Sequence, residues 1–376
     1  GRVPLPQDSA TFDANSFSAG SQTVTTNVAR AGTNIDWTAA TNSPTWTTST
    51  ASSVFGSVTL ISAMTLTGST STYTFEGRGS HTITMAGKSW AKVTQYRSFG
   101  GTYTFQDTYA ATASLLLDAG TLNLNGQAVS CSVFGTNTSF TITRTLTFGS
   151  STMTIASNGG TLWTTTTTNM TINMNTGVVA FTYAGATGTR TLTVGAFSEA
   201  NAPHFNITAG TDTVTISAGS GLGNLNFTGF AGTLSNNSRT VYGNLTLASG
   251  MTLTAGANTL TFGATSGTKT ITSATKTMDF PVTFNGTGGT WELQDAMIVG
   301  STRSTTLTAG TLDLNTFNLS TGFWAGTGSV ARAITVDSGS MTLTGNAGAV
   351  WSMATATSFT LSAALTVTSN YAGATG

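Results

Sequence analysis

Three carboxylates are the first place to look for chemistry. Asp107 and Asp295 each close a Gln-Asp pair, and Glu292 stands three residues before Asp295. Hydrolysis of a glycoside needs two carboxyls about 5–10 Å apart, one to give a proton and one to attack or to activate water. Glu292 and Asp295 form the local pair to weigh. Asp107 has no such companion, because Thr104 stands where the second copy has Glu292. The alternative role for Asp107 and Asp295 is a turn held through backbone N–H groups. Both recur at the same place in a duplicated sequence, so the turn role is the expectation and catalysis the weaker one.

The other reactive side chains are few. His81 and His204 lie far apart and have no Cys or His neighbour, which speaks against a metal site. Cys131 is the single cysteine, so the chain has no intramolecular disulfide. Aromatic rings can stack on sugars. Trp163 and Trp351 occupy equivalent places, as do Tyr103 and Trp291, and paired placement predicts core packing. Trp46, Trp90 and Trp324 lack a Trp partner and are the candidates for an exposed glycan platform. Thr-x-Thr runs such as Thr65-Leu66-Thr67, Thr145-Leu146-Thr147, Thr191-Leu192-Thr193 and Thr252-Leu253-Thr254 have the spacing with which ice-binding solenoids order water. Thr is also the natural outward residue of a strand. Sequons at Asn137, Asn169, Asn206 and Asn244 are expected by chance at this Thr content.

The elements that carry these residues repeat with period two. Thr121-Leu122-Asn123-Leu124-Asn125, Thr213-Val214-Thr215-Ile216 and Met341-Thr342-Leu343-Thr344 alternate polar and apolar. Such runs place Leu, Ile, Val, Met and Phe inside and Thr, Ser and Asn in water. Ala119-Gly120, Gly286-Thr287-Gly288-Gly289 and Ser338-Gly339 are predicted turns between strands. No stretch is predicted to be helical.

The strands belong to a duplicated unit. Val54-Phe55-Gly56 returns as Val241-Tyr242-Gly243, and Met64-Thr65-Leu66-Thr67 as Met251-Thr252-Leu253-Thr254. Ala119-Gly120-Thr121-Leu122 returns as Ala309-Gly310-Thr311-Leu312, and Tyr183 to Gly188 is repeated letter for letter by Tyr371 to Gly376. The offset drifts between 187 and 190. The units are predicted at 1–188 and 189–376, with 1–33 poorly matched in the second. A shorter phrase, Gly-Thr-Leu, opens at Gly120, Gly160, Gly232 and Gly310. Nested repetition predicts an all-β chain in the form of an elongated parallel β-solenoid, with a string of β-sandwich domains as the alternative.

Composition narrows the function. Thr supplies 84 of 376 residues, only 7% are charged, and net charge is zero. The 13 basic residues are scattered singly, which argues against nucleic-acid binding. No apolar run has the roughly 18 residues of a membrane helix. The 39% hydrophobic content supports a real core.

Leu5-Pro6-Gln7-Asp8, Phe12-Asp13-Ala14-Asn15-Ser16-Phe17, Asn34-Ile35-Asp36-Trp37, Tyr103-Thr104-Phe105-Gln106-Asp107 and Gly120-Thr121-Leu122-Asn123-Leu124-Asn125 carry a resemblance. The chain resembles a Thr/Gly-rich β-repeat family of phage tail-fibre and structural proteins and large bacterial surface proteins. That resemblance implies an extracellular, cell-surface or virion-surface structural role and brings no catalytic residue. The expectation is a non-enzymatic fibre, filament or adhesin without cofactor or metal. Its expected partners are other copies of itself, adjoining repeats and cell-surface glycans. A polysaccharide-degrading enzyme and an ice-binding protein are the rivals.

Overall fold

The computed structural model describes residue 5 and residues 7–68, 71–136, 141–354 and 358–371. Pro4, Pro6, the Asn137 sequon and the repeated segment 372–376 lie outside the described residues. The chain is an all-β parallel β-solenoid of about 16 turns. The parallel register answers the sandwich alternative, because sandwiches are built from antiparallel strands. A short 3-10 turn, Glu199–Asn201, lies between two strands.

The chain divides into two compact units, residues 1–157 with 161–180 and residues 158–160 with 181–376. In the first, Ser80–Thr84, Thr94–Phe105, Ser114–Asn123, Arg144–Thr147 and Met170–Asn173 stack side by side. Their register puts Ser80, Thr102, Thr121, Thr145 and Thr171 in one row. In the second, Thr268–Thr272, Val282–Leu293, Ser304–Asp313, Arg332–Thr335 and Phe359–Leu361 stack in the same way. Thr268, Thr290, Thr311, Ala333 and Thr360 form the matching row.

Alternation decides what faces inward. Thr213–Ile216 and Ser340–Leu343 alternate half-exposed and buried residues, with Val214, Ile216, Met341 and Leu343 inside. A strand flanked by two others satisfies its backbone on both edges, so few charges are needed to keep it in solution.

Two predicted turns are not turns. Ala119-Gly120 lies inside the ten-residue strand Ser114–Asn123, and Gly286-Thr287-Gly288-Gly289 lies inside the twelve-residue strand Val282–Leu293. Gly120 has φ +80° and Gly288 φ +90°. A left-handed glycine bends the strand without ending its ladder. At Gly120 a Cβ would also strike the Ser98 side chain and the backbone of the neighbouring coil. Gly310, its counterpart, has φ +85° and the same backbone crowding.

Strand register also locates the length drift of the repeat. Ser52 pairs with Tyr73 as Arg239 pairs with Leu260, an offset of 187. Ser80 pairs with Thr102 as Thr268 pairs with Thr290, an offset of 188. Ser114 pairs with Val133 as Ser304 pairs with Phe323, an offset of 190. Each change of offset falls at a corner between strands.

Candidate functional site

The three tryptophans expected at the surface are in the core. Trp46 and Trp90 are 1% exposed and Trp324 is 0% exposed, so none offers a ring face to a sugar. In the first unit an aromatic column explains this. Phe12 stacks on Trp37 at 3.8 Å, Trp37 meets Trp46 at 5.8 Å and Trp46 meets Trp90 at 5.8 Å. Trp90 then stacks on Tyr73 at 4.8 Å, Phe75 on Tyr96 at 4.6 Å and Phe105 on Tyr109 at 4.2 Å. In the second unit the register places Leu234 for Trp46, Leu260 for Tyr73 and Met278 for Trp90. Lack of a Trp partner was the wrong criterion, because an apolar partner is enough to mark a core position. Trp324 has Phe134 as its counterpart, and each ring pairs with a second Trp, Trp351 or Trp163. Tyr103, Trp163 and Trp291 are buried as predicted, whereas Trp351 is 36% exposed.

The acids are placed for turns and for an outward row. Asp107 accepts from the backbone N–H groups of Met85 at 2.7 Å and Ala86 at 2.5 Å. Asp295 accepts from Ser273 N at 2.7 Å and Ser273 Oγ at 2.8 Å. Both carboxylates thus clamp the preceding coil at one turn, as the duplicated placement predicts. Glu292 and Asp295 have different hydrogen-bond partners. Glu292 lies on the outer side of its strand, directly across the ladder from Asp313. Glu292 Oε1 accepts from Gln294 Nε2 at 2.8 Å and from Asn315 Nδ2 at 3.3 Å. The Glu292–Asp313 neighbourhood was invisible in sequence because it depends on register between coils.

Both imidazoles accept from backbone. Gly79 N donates to His81 Nε2 at 3.2 Å, and Asn224 N donates to His204 Nδ1 at 2.9 Å. Burial lowers both pKa values, and for His204 the Lys269 charge adds to it. Each folded pKa lies below the ordinary value of about 6.5, so the unfolded chain takes up protons first. The stability contributed is present above about pH 6.5 and is lost as pH falls below it. We expect the urea midpoint to drop between pH 7.5 and pH 5, and His81→Gln/His204→Gln to flatten that dependence. An unchanged pH profile in the double variant would show that the acids, not the imidazoles, set it. Burial also pushes the Cys131 thiol up to about 12, which makes it a core residue and no nucleophile.

Sequence reasoning missed four buried arginines. Arg144, Arg190, Arg239 and Arg332 all lie inside. Arg190 forms a two-pronged ion pair with Asp212, Nε to Oδ2 at 2.8 Å and Nη2 to Oδ1 at 2.7 Å. It also donates to Ala209 O at 2.8 Å and faces the rings of Tyr183 and Phe230. Arg144 reaches Thr168 O at 2.5 Å, and Arg332 reaches Gly328 O. Parity was the available signal, since Arg144 alternates in phase with Leu146 and Phe148.

Among the open surfaces of the described residues, two bear on ligand binding. One is a shallow cleft of the first unit lined by Phe55, Glu76, Gly77, Arg78 and Phe99, with the Arg78 guanidinium 5.8 Å from the exposed Phe99 ring. The other is the outward hydroxyl face. Beside the row through Thr102, Thr121, Thr145 and Thr171 runs a second through Thr82, Thr104, Asn123, Thr147 and Asn173. The second unit carries Thr189, Thr213, Thr233 and Thr252 in one such row. The rows are therefore regular from coil to coil. Two sequons serve the fold, Asn169 Nδ2 donating to Thr141 O at 2.7 Å and Asn244 Oδ1 accepting from Thr270 N at 2.9 Å.

Among the described residues no three His, Cys, Asp or Glu side chains are placed to share a metal ion. No helix among them is long and apolar enough to cross a membrane. No protein-family model, curated protein or solved structure matches the chain.

Proposed function

We propose that the chain is a non-enzymatic structural part of an extracellular fibre or surface filament, of a phage tail or of a bacterial surface, that presents a hydroxyl-rich side to its surroundings. One observation carries this. The two copies keep the same alternation of inward and outward positions and the same Asp-clamped turn, while the isolated acids and both histidines do not recur. Side chains that repeat with the coil serve the coil. The resemblance to Thr/Gly-rich fibre and surface proteins supports the same reading. Glycans would meet the chain along its side, at the Phe55–Phe99 cleft rather than at Trp46, Trp90 or Trp324.

The test sets this reading against the polysaccharide-degrading one. The chain is incubated with bacterial surface polysaccharides and newly formed reducing ends are measured. No release is expected. Release that disappears in Asp295→Asn or Glu292→Gln would overturn the proposal.

The regular threonine rows favour a second reading, a surface that orders water against ice. On a parallel sheet the rows repeat about every 4.8 Å across strands and about 6.6 Å along them. Thermal hysteresis decides it. A freezing gap that vanishes in Thr121→Leu/Thr145→Leu/Thr171→Leu supports ice binding, and freezing at the melting point ends that reading.

A further inference from the structure

Arg78, in the first unit, is an exposed cation with no acid paired to it. Among the described residues no carboxylate reaches it and no acceptor takes its N–H groups. Its guanidinium lies 5.8 Å from the centre of the Phe99 ring, which is 39% exposed. Phe99 stands in the bulge between Arg97 and Thr102, next to Gly100 with φ +89°. A bulge re-aims a side chain. Phe55, Glu76 and Gly77 complete the cleft, and its volume of about 340 Å³ falls within the roughly 300–1,000 Å³ of small-molecule sites. The Glu76 carboxylate has a cation of its own, Arg97 at 3.6 Å.

The second unit shows what belongs in this place. Register sets Phe75 against Phe262, and with it Phe55 against Tyr242, Gly77 against Ala264 and Arg78 against Thr265. Phe99 answers to Thr287, each two residues before the matched glycines Gly101 and Gly289. There a carboxylate of the chain itself is bound. Glu199 Oε2 accepts from Thr265 N at 2.9 Å and from Thr265 Oγ1 at 2.5 Å. Its charge also reaches Tyr242, whose phenol is pushed above its ordinary range by burial and then by Glu199. Glu199 comes from the turn Glu199–Asn201, which has no match in the opening segment of the first unit. Where the second unit holds its own carboxylate, the first has a cation, an exposed ring and open space.

We infer that this cleft binds a carboxylated sugar, a uronic acid residue of an acidic polysaccharide, with the carboxylate on Arg78 and the C–H face of the sugar against Phe99. This rests on the reading that glycans meet the chain at this cleft, and it names their chemistry. A guanidinium offers a carboxylate two parallel charge-assisted hydrogen bonds. The apolar ring beside it selects a ligand that carries a carboxylate and a C–H face together. A uronic acid carries both. A neutral sugar leaves Arg78 to water, and the side chain of an acidic peptide brings the charge without the face.

Titration calorimetry with oligogalacturonate and oligoglucuronate tests this. Their methyl esters keep the rings and remove the charge, and polyglutamate keeps the charge and removes the rings. At least one of the two acids is expected to bind, more weakly as salt rises, and its ester to bind about tenfold more weakly or worse. Arg78→Thr and Phe99→Thr, which install the residues of the second unit, should each lower the affinity by a similar factor. Both are surface changes, so the urea midpoint should stay in place. Binding of neither acid overturns the inference. Acid and ester bound alike, with loss in Phe99→Thr, also overturn it while leaving the cleft a glycan site. Polyglutamate bound as tightly as the sugars would assign the cleft to an acidic peptide instead. Unchanged affinity in both variants would place the binding elsewhere on the chain.

Discussion

Leu124→Asp unfolds the coils around it, whereas Thr145→Ser leaves the chain almost untouched. Leu124 is fully buried, and its N–H donates to Thr147 O at 2.8 Å, so its backbone is fixed by the next coil. Truncating a buried Leu costs about 2–5 kcal/mol. Placing a carboxylate there without a partner adds several more, on the order of the whole stability of a domain. Thr145 sits in the outward row between Thr121 and Thr171, where losing a methyl group should cost no more than about 0.5 kcal/mol. Stability in stacked coils is a sum of neighbour terms, so the damage is local. Hydrogen exchange should show protection lost between the strands Ser114–Asn123 and Met170–Asn173 first. Equal effects of the two substitutions would contradict the assignment of inner and outer faces.

Arg190→Met has the next largest effect, about 3–5 kcal/mol, and the cause is Asp212 rather than the lost arginine. The pair is buried on both sides, at 1% and 0% side-chain exposure. Removing one member of a buried pair strands the other charge. The double variant Arg190→Met/Asp212→Leu should recover most of the loss, because two apolar side chains of similar volume replace the pair. Urea unfolding of the two single variants and the double variant gives the coupling. A double variant as unstable as Arg190→Met would shift the explanation to the arginine's contacts with Ala209 O and the rings of Tyr183 and Phe230.

The sequence carried the fold class because alternation is local. Leu122, Leu124, Val214 and Ile216 show their inward side within a few residues, and the buried position confirms each. Gly120 and Gly288 misled because a glycine that bends a strand and a glycine that ends one have the same neighbours. Their difference lies in whether the next coil continues the ladder. The same limit hid the site. Glu292 and Asp295 are close in sequence but hold different tasks, while Glu292 and Asp313 meet only through register. Trp46, Trp90 and Trp324 were legible in retrospect, since Leu234, Met278 and Phe134 stand at their counterparts. The unmatched charge of Arg78 was not, because no spacing in the chain tells whether an acid will be near it.

The confinement of length drift to the corners has a genetic consequence. Each strand is aligned by the strand before it, not by the number of residues since the last turn. An in-frame insertion or deletion at a corner is therefore absorbed there, and the next strand resumes its place. Within a strand a one-residue change reverses every later side chain up to the next bulge or corner, sending Leu outward and Thr inward. A gene of this kind tolerates unequal recombination between its copies wherever the crossover falls in corner codons. The ladder keeps strands in register whatever the number of copies, so a change of length by whole repeats leaves each strand aligned with its neighbour.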